Sequence, residues 1–157
     1  MHQTLLTKDP SGKKMTITRS FDAPPVQVWQ AWTDPALLDQ WWAPQPWRAE
    51  TKFMDFRPGG YWLYCMIGPE GERSWARADY LEVDAPRRIT SKDSFTNENG
   101  DRDHEFPSMN WITTFRASEE GTEVTVEITC NEAADLEKIL ELGFEEGFSS
   151  AHNNLDQ

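Results

Sequence analysis

Ala133-Ala134-Asp135-Leu136-Glu137-Lys138-Ile139-Leu140-Glu141-Leu142-Gly143-Phe144-Glu145-Glu146-Gly147-Phe148-Ser149-Ser150-Ala151-His152-Asn153-Asn154-Leu155 is the stretch on which the fold turns. Leu136, Leu140, Gly143, Gly147 and Ala151 recur at helical spacing, with Ile139, Phe144 and Phe148 beside them. That pattern predicts one amphipathic helix over residues 133–155 with a single apolar face. Such a face needs something to cover it. Immediately upstream lie six strand-like runs, so the cover is a sheet.

The two glycines are the informative residues. Each interior helical glycine costs about 0.8–1 kcal/mol relative to alanine. Gly143 and Gly147 stand one turn apart on the apolar face, where missing side chains leave room for a ligand or allow close approach to the sheet. Both readings are open at the level of sequence.

Working back from the helix, residues 122–131 and 108–117 form a hairpin across Glu119-Glu120-Gly121. Met109, Trp111, Thr113 and Phe115 share one face of the first arm, and Val124, Val126, Ile128 and Cys130 share one face of the second. Earlier runs cover 88–96, 73–84, 61–67 and 47–56, separated by Ala85-Pro86, Gly68-Pro69-Glu70-Gly71 and Arg57-Pro58-Gly59-Gly60. Short turns between successive strands demand antiparallel pairing. In 61–67 both faces are apolar, and Trp62, Tyr64 and Met66 are assigned to the helix side. In 88–96, Ile89, Ser91, Asp93 and Phe95 share a face. Ser91 and Asp93 are either polar handles in an apolar pocket or positions exposed by a bulge or an edge.

Before these strands come two short helices. Asp22-Ala23-Pro24 sets a capping side chain before the first, whose apolar residues are Val28 and Trp32 with Val26 and Trp29 beside them. Thr33-Asp34-Pro35 starts the second, which carries Leu37, Leu38, Trp41 and Trp42 and ends at Pro44. Residues 14–21 alternate, with Met15, Ile17, Arg19 and Phe21 on one face. Residues 1–13 are polar and hold Pro10-Ser11-Gly12, so they read as a flexible leader, with 14–157 as a single domain. The expected architecture is α+β: a seven-stranded curved antiparallel sheet around a long C-terminal helix.

Composition narrows the function. The 157 residues suit one domain with a core of its own. Eight Trp among them supply bulk for a core or a cavity wall. The balance of 15 basic against 27 acidic residues gives a net charge of −12, which repels phosphate backbones and anionic lipid surfaces. Neither a nucleic acid nor a membrane is expected as a partner. Cys65 and Cys130 are too few for a disulfide framework and read as buried thiols. With no secretory signal and no apolar run of membrane-spanning length, the expected location is the cytoplasm.

Catalytic and cofactor motifs do not stand out. There is no nucleophile elbow, phosphate-cradling loop or dinucleotide fingerprint. His2, His104 and His152 are too scattered for metal ligation, so no metal or cofactor is expected. Asp103-His104-Glu105 reads as a solvated loop. His152 reads as a surface histidine, or as a group that hydrogen-bonds a ligand near the pocket end of the last helix.

Several motifs in order resemble a known family. They are Arg19-Ser20-Phe21-Asp22-Ala23-Pro24, Val28-Trp29-Gln30-Ala31-Trp32-Thr33-Asp34-Pro35, Trp41-Trp42-Ala43-Pro44, Asp55-Phe56-Arg57-Pro58-Gly59-Gly60-Tyr61-Trp62, Tyr80-Leu81-Glu82-Val83 and Gly143-Phe144-Glu145-Glu146-Gly147-Phe148. From Met15 to Asp156 the chain is similar to the heat-shock-protein ATPase activator-homologue (AHSA-like) branch of the START-like (SRPBCC) superfamily. The resemblance implies a helix-grip fold with a hydrophobic cavity. It departs from the family at Ala78, where glycine is usual and where the cavity is expected to narrow, and at Phe148, where tryptophan is common. The chain also stops at Gln157 while still helical in pattern.

Three functions follow as expectations. The first is non-catalytic binding of a small hydrophobic or aromatic molecule by Trp62, Tyr64, Met66, Ser91, Asp93, Met109, Trp111, Leu140, Gly143, Phe144, Gly147, Phe148 and His152. The second is a small cyclase- or hydrolase-like enzyme using Asp93, His152 or Glu82 in the same cavity. The third is a module that binds a chaperone, another protein or a second copy of itself through its surface.

Overall fold

A computed structural model describes residues 4–43, 46–103, 108–119, 121–141 and 144–155, with backbone only at 144–146 and 155. The elements run β1 (Leu5–Lys8), β2 (Lys14–Phe21), α1 (Pro25–Thr33), α2 (Pro35–Trp41), β3 (Arg48–Met54), β4 (Tyr61–Ile67), β5 (Arg73–Asp84), β6 (Arg88–Thr96), β7 (Met109–Ser118), β8 (Gly121–Thr129), α3 (Ala133–Glu141) and α4 (Phe144–Leu155). One antiparallel sheet takes the order β1-β2-β8-β7-β6-β5-β4-β3. The fold is α+β, and the helices cover one face of the curved sheet.

The sheet has eight strands where seven were expected. The additional strand, β1, lies in the stretch read as a flexible leader. It pairs with β2 from Leu5↔Thr18 to Lys8↔Met15. Pro10-Ser11-Gly12, residues typical of a linker, here build a hairpin turn. Asp9 Oδ1 accepts from the Ser11 amide at 2.8 Å, Asp9 N donates to Lys14 O at 2.9 Å, and Gly12 adopts φ +74°. Lys8 reaches Glu137 on α3, tying this edge to the helical layer.

The C-terminal helical region is described as two segments, α3 and α4; Leu142 and Gly143 between them lie outside the described residues. Its buried face is Leu136, Ile139, Phe148, Ala151 and His152, turned away from the expected Leu140, which is half-buried. Ile139 and Phe148, expected as flanks, take the centre.

The two early helices form where Pro25 and Pro35 set first-turn φ angles. The N-cap of α1 is Pro24, not Asp22, and no side chain caps it. Asp34 caps α2 through Oδ1, which accepts from Ala36 N at 2.9 Å. Trp41 Nε1 donates to Ala31 O at 2.9 Å and locks the two helices together. Asn154 Nδ2 donates to Ala43 O at 3.0 Å, joining α4 to the end of α2.

Alternation sets the core. Along β2, β7 and β8 the inward residues Met15, Ile17, Phe21, Trp111, Phe115, Val124, Val126 and Ile128 are buried. Arg19 shares that face and is also buried, held by Thr4 Oγ1 at 3.1 Å and Asn153 Oδ1 at 3.0 Å. A bulge in β5 between Tyr80 and Glu82 shifts the phase, so Tyr80 and Val83 face inward while Leu81 is exposed. At Gly60 a Cβ would meet Asp55 O at 2.0 Å, so only glycine lets this turn close. Cys65 and Cys130 are buried free thiols. Among the described residues no helix is long and apolar enough to cross a membrane.

Candidate ligand cavity

A cavity of ≈ 220 Å³ opens between the sheet and the helical layer. Its sheet wall is Tyr64 and Met66 from β4, Ser74 and Ala76 from β5, Asp93, Ser94 and Phe95 from β6, and Met109 and Trp111 from β7. The helical side supplies Trp42, Ile139, Gly147 and Phe148. The lining is predominantly apolar, as small-molecule sites are. The space exists because β5 contributes Ser74 and Ala76 where β4 and β7 carry large rings. Register puts Ala76 directly beside Tyr64 and Phe95.

Aromatic contacts fix the walls. Trp42 meets Trp62 at 5.4 Å, Phe148 at 5.8 Å and Trp111 at 6.0 Å between ring centroids. Trp111 meets Phe148 at 5.7 Å, bridging β7 and α4. Trp62 stacks on Tyr64 at 4.0 Å. The indole of Trp62 donates to Thr51 Oγ1 at 3.0 Å, and Thr51 in turn donates to Asp39 Oδ1 at 2.6 Å. That chain anchors Trp62 behind Tyr64 as a backing layer.

Among the described lining residues, Asp93 is the ionisable carboxyl. Its Oδ1 accepts from Ser91 Oγ at 2.8 Å, and its register neighbours are Ala78 and Met109. Burial pushes its carboxyl up to about 7; the Ser91 hydrogen bond opposes the shift and the negative Asp79 adds to it. The hydroxyls of Tyr64 and Tyr80 are raised as well, first by burial and then by the charge of Asp93. Both tyrosines remain protonated at neutral pH.

The structure brings Tyr64, Met66, Asp93, Met109, Trp111, Gly147 and Phe148 of the sequence-derived set to the cavity. Trp62 and Ser91 stand one layer behind, buried and holding Tyr64 and Asp93. The alternative that Ser91 and Asp93 are exposed is excluded, since Ser91 is buried and Asp93 lines the cavity. Leu140 does not line it; Ile139 from the neighbouring helical position does. Gly143 and the side chain of Phe144 lie outside the described residues, as does His104.

His152 is neither a surface residue nor a cavity residue. It is 1% exposed, and its Nδ1 hydrogen-bonds with Thr4 Oγ1 at 3.0 Å. Rings of Phe148, Phe21 and Trp32 enclose it at 4.2, 5.7 and 5.8 Å. Burial, and then the nearby Arg19 charge, push its pKa down to about 3, so it is neutral. It falls on the core side because the buried helix face is rotated from the expected one. Glu82 is exposed.

Sequence reasoning missed Trp42, Ser74, Ala76, Ser94, Phe95 and Ile139. One signal was present: Ser74, Ala76 and Ala78 are small at alternate positions of a strand facing aromatic neighbours. The room predicted from helix glycines arises in part from the sheet.

Comparisons with known proteins agree with this architecture. The family described as activator of Hsp90 ATPase homolog 1-like protein matches residues 22–157. The crystal structure of protein Ms6760 from Mycobacterium smegmatis is 33% identical over 98% of this chain and 94% of that one, with a TM-score of 0.91. A solution structure from Staphylococcus epidermidis is 30% identical over 96% and 91%, with a TM-score of 0.83. The AHSA1 protein from Silicibacter pomeroyi, 21% identical over 91% and 94% with a TM-score of 0.73, shares the fold. No curated protein matches the chain at the same stringency.

Proposed function

This chain belongs to the activator of Hsp90 ATPase homolog 1-like family, and from there we propose that it binds a small apolar or aromatic molecule in the cavity between α4 and the sheet. The observation that carries the reading is the ≈ 220 Å³ space walled by Trp42, Tyr64, Trp111 and Phe148. An apolar cavity of about 150 Å³ suffices for benzene, so one ring with a short arm is the matching size. The walls come from separate elements that pack on one another, so the site is largely preformed.

An enzymatic reading narrows to one group. Of the three titratable candidates, Glu82 is exposed and His152 lies outside the cavity, which leaves Asp93. The family description also names a chaperone ATPase. The exposed apolar side chains Leu5, Val26, Phe53 and Leu81 belong to four different elements and offer that role less support than the cavity gives to ligand binding.

The test is a thermal-shift series with toluene, indole and 2-phenylethanol, paired with NMR of methyl-labelled Met66 and Met109. A ligand at one hundred times its Kd stabilises by about 2.7 kcal/mol, so a rise of several degrees in Tm is expected together with shifts of those two methyl signals. Unchanged Tm and unchanged methyl signals across the series would defeat the reading.

A further inference from the structure

We propose that the cavity selects a small organic cation, an amine carried on an aromatic or short alkyl body, with Asp93 as its counter-ion. The assignment rests on the ligand-binding reading above and specifies its chemistry.

The argument begins with charge. Among the described residues, Asp93 is the one ionisable carboxyl in the lining, and none of the others there is Lys, Arg or His. Among the described residues, none forms an ion pair with it; its hydrogen-bond partner is the neutral Ser91. The other group that acts on it is Asp79, which is negative. Arg77 on β5 is spent on Asp79, to which it donates from Nε at 2.9 Å and Nη2 at 2.7 Å. Asp93 is half-buried; a carboxylate drawn partly out of water gains from a cationic partner, and none of the described residues supplies one.

The walls point the same way. Trp42, Tyr64, Phe95, Trp111 and Phe148 surround the space. The faces of such rings attract a desolvated cation, Trp most strongly. In a space this small one guest meets the carboxylate and the rings together. An anion would meet Asp93 with no basic group to offset it. The net charge of −12 draws cations toward the cavity and disfavours anions.

Titration calorimetry at pH 8 with three matched probes tests the assignment: 2-phenylethylamine, 2-phenylethanol and phenylacetate. The native chain is expected to bind the amine at least tenfold more tightly than the alcohol and to give no heat with phenylacetate. Asp93→Asn is expected to lose that tenfold preference, the affinity for the amine falling to that for the alcohol in the same variant. Equal affinity for amine and alcohol in the native chain, or an amine preference that persists in Asp93→Asn, overturns the cation assignment and leaves the apolar-cavity reading intact. Absence of binding by all three probes overturns both. The comparison within the native chain does not depend on the variant folding.

Discussion

Half-buried Asp93 and fully buried His152 push stability in opposite directions with pH. In the unfolded chain the Asp93 carboxyl ionises near its ordinary 3.8, whereas in the folded chain it keeps its proton to about 7. Between those values the folded state binds more protons, so this group lowers stability as pH rises. Asp93→Asn removes the effect. The Tm of the variant relative to the native chain is therefore expected to climb from pH 4 to pH 7 and to level off above, as read by thermal unfolding. His152 runs the other way. It is neutral when folded, with its pKa at about 3, and takes a proton near 6.5 when unfolded. Its stabilising contribution is present above 6.5 and is lost as pH falls toward 3. His152→Phe is expected to flatten the fall in Tm between pH 6.5 and 4, at the cost of the hydrogen bond with Thr4.

At the scale of elements, α2 delivers Trp42 to the cavity, and Asp34 starts α2. Asp34→Ala removes the cap to Ala36 N and is expected to cost about 1 kcal/mol in urea unfolding. The same cap shows what a sequence discloses. Asp34-Pro35 is a local signal whose meaning does not depend on the rest of the fold, and it was legible, as were the limits of β4, β5 and β6 from their flanking turns. Asp22 looked equally good, yet Pro24 occupies the cap position of α1. β1 was illegible because a four-residue edge strand has too short an alternation to register. Its existence depends on pairing with β2 and on Glu137 receiving Lys8. Of the expected face of the C-terminal helical region, Leu136 and Ala151 are buried and Gly147 lines the cavity, whereas Leu140 is only half-buried, since the glycine pattern cannot say how the helix rolls against a twisted sheet. That roll decides that Ile139 rather than Leu140 meets the cavity, and that His152 enters the core.

The cavity is a property of the whole molecule, assembled from β4, β5, β6, β7, α3, α4 and the end of α2. Its aromatic walls were foreseen from single strands, but its emptiness depends on how small residues on one strand meet large ones on the next. Ala76→Leu adds bulk at that meeting point. The variant is expected to abolish binding of 2-phenylethanol while changing stability by less than about 3 kcal/mol, an overpacking cost of ordinary size, measured by calorimetry and urea unfolding. Retention of full affinity by a folded Ala76→Leu chain would place the ligand elsewhere.

Trp32, Trp41 and Trp42 form a relay of indoles with centroids 4.9 Å and 5.2 Å apart, and it branches at Trp42 to Trp62 at 5.4 Å and to Trp111 at 6.0 Å. Excitation absorbed by any of them migrates through the group, and Trp42 and Trp111 border the cavity. A guest seated there perturbs the shared emission of the whole set. The protein thus carries its own optical reporter, and its ultraviolet glow will dim or change colour when the space is filled, with no dye attached.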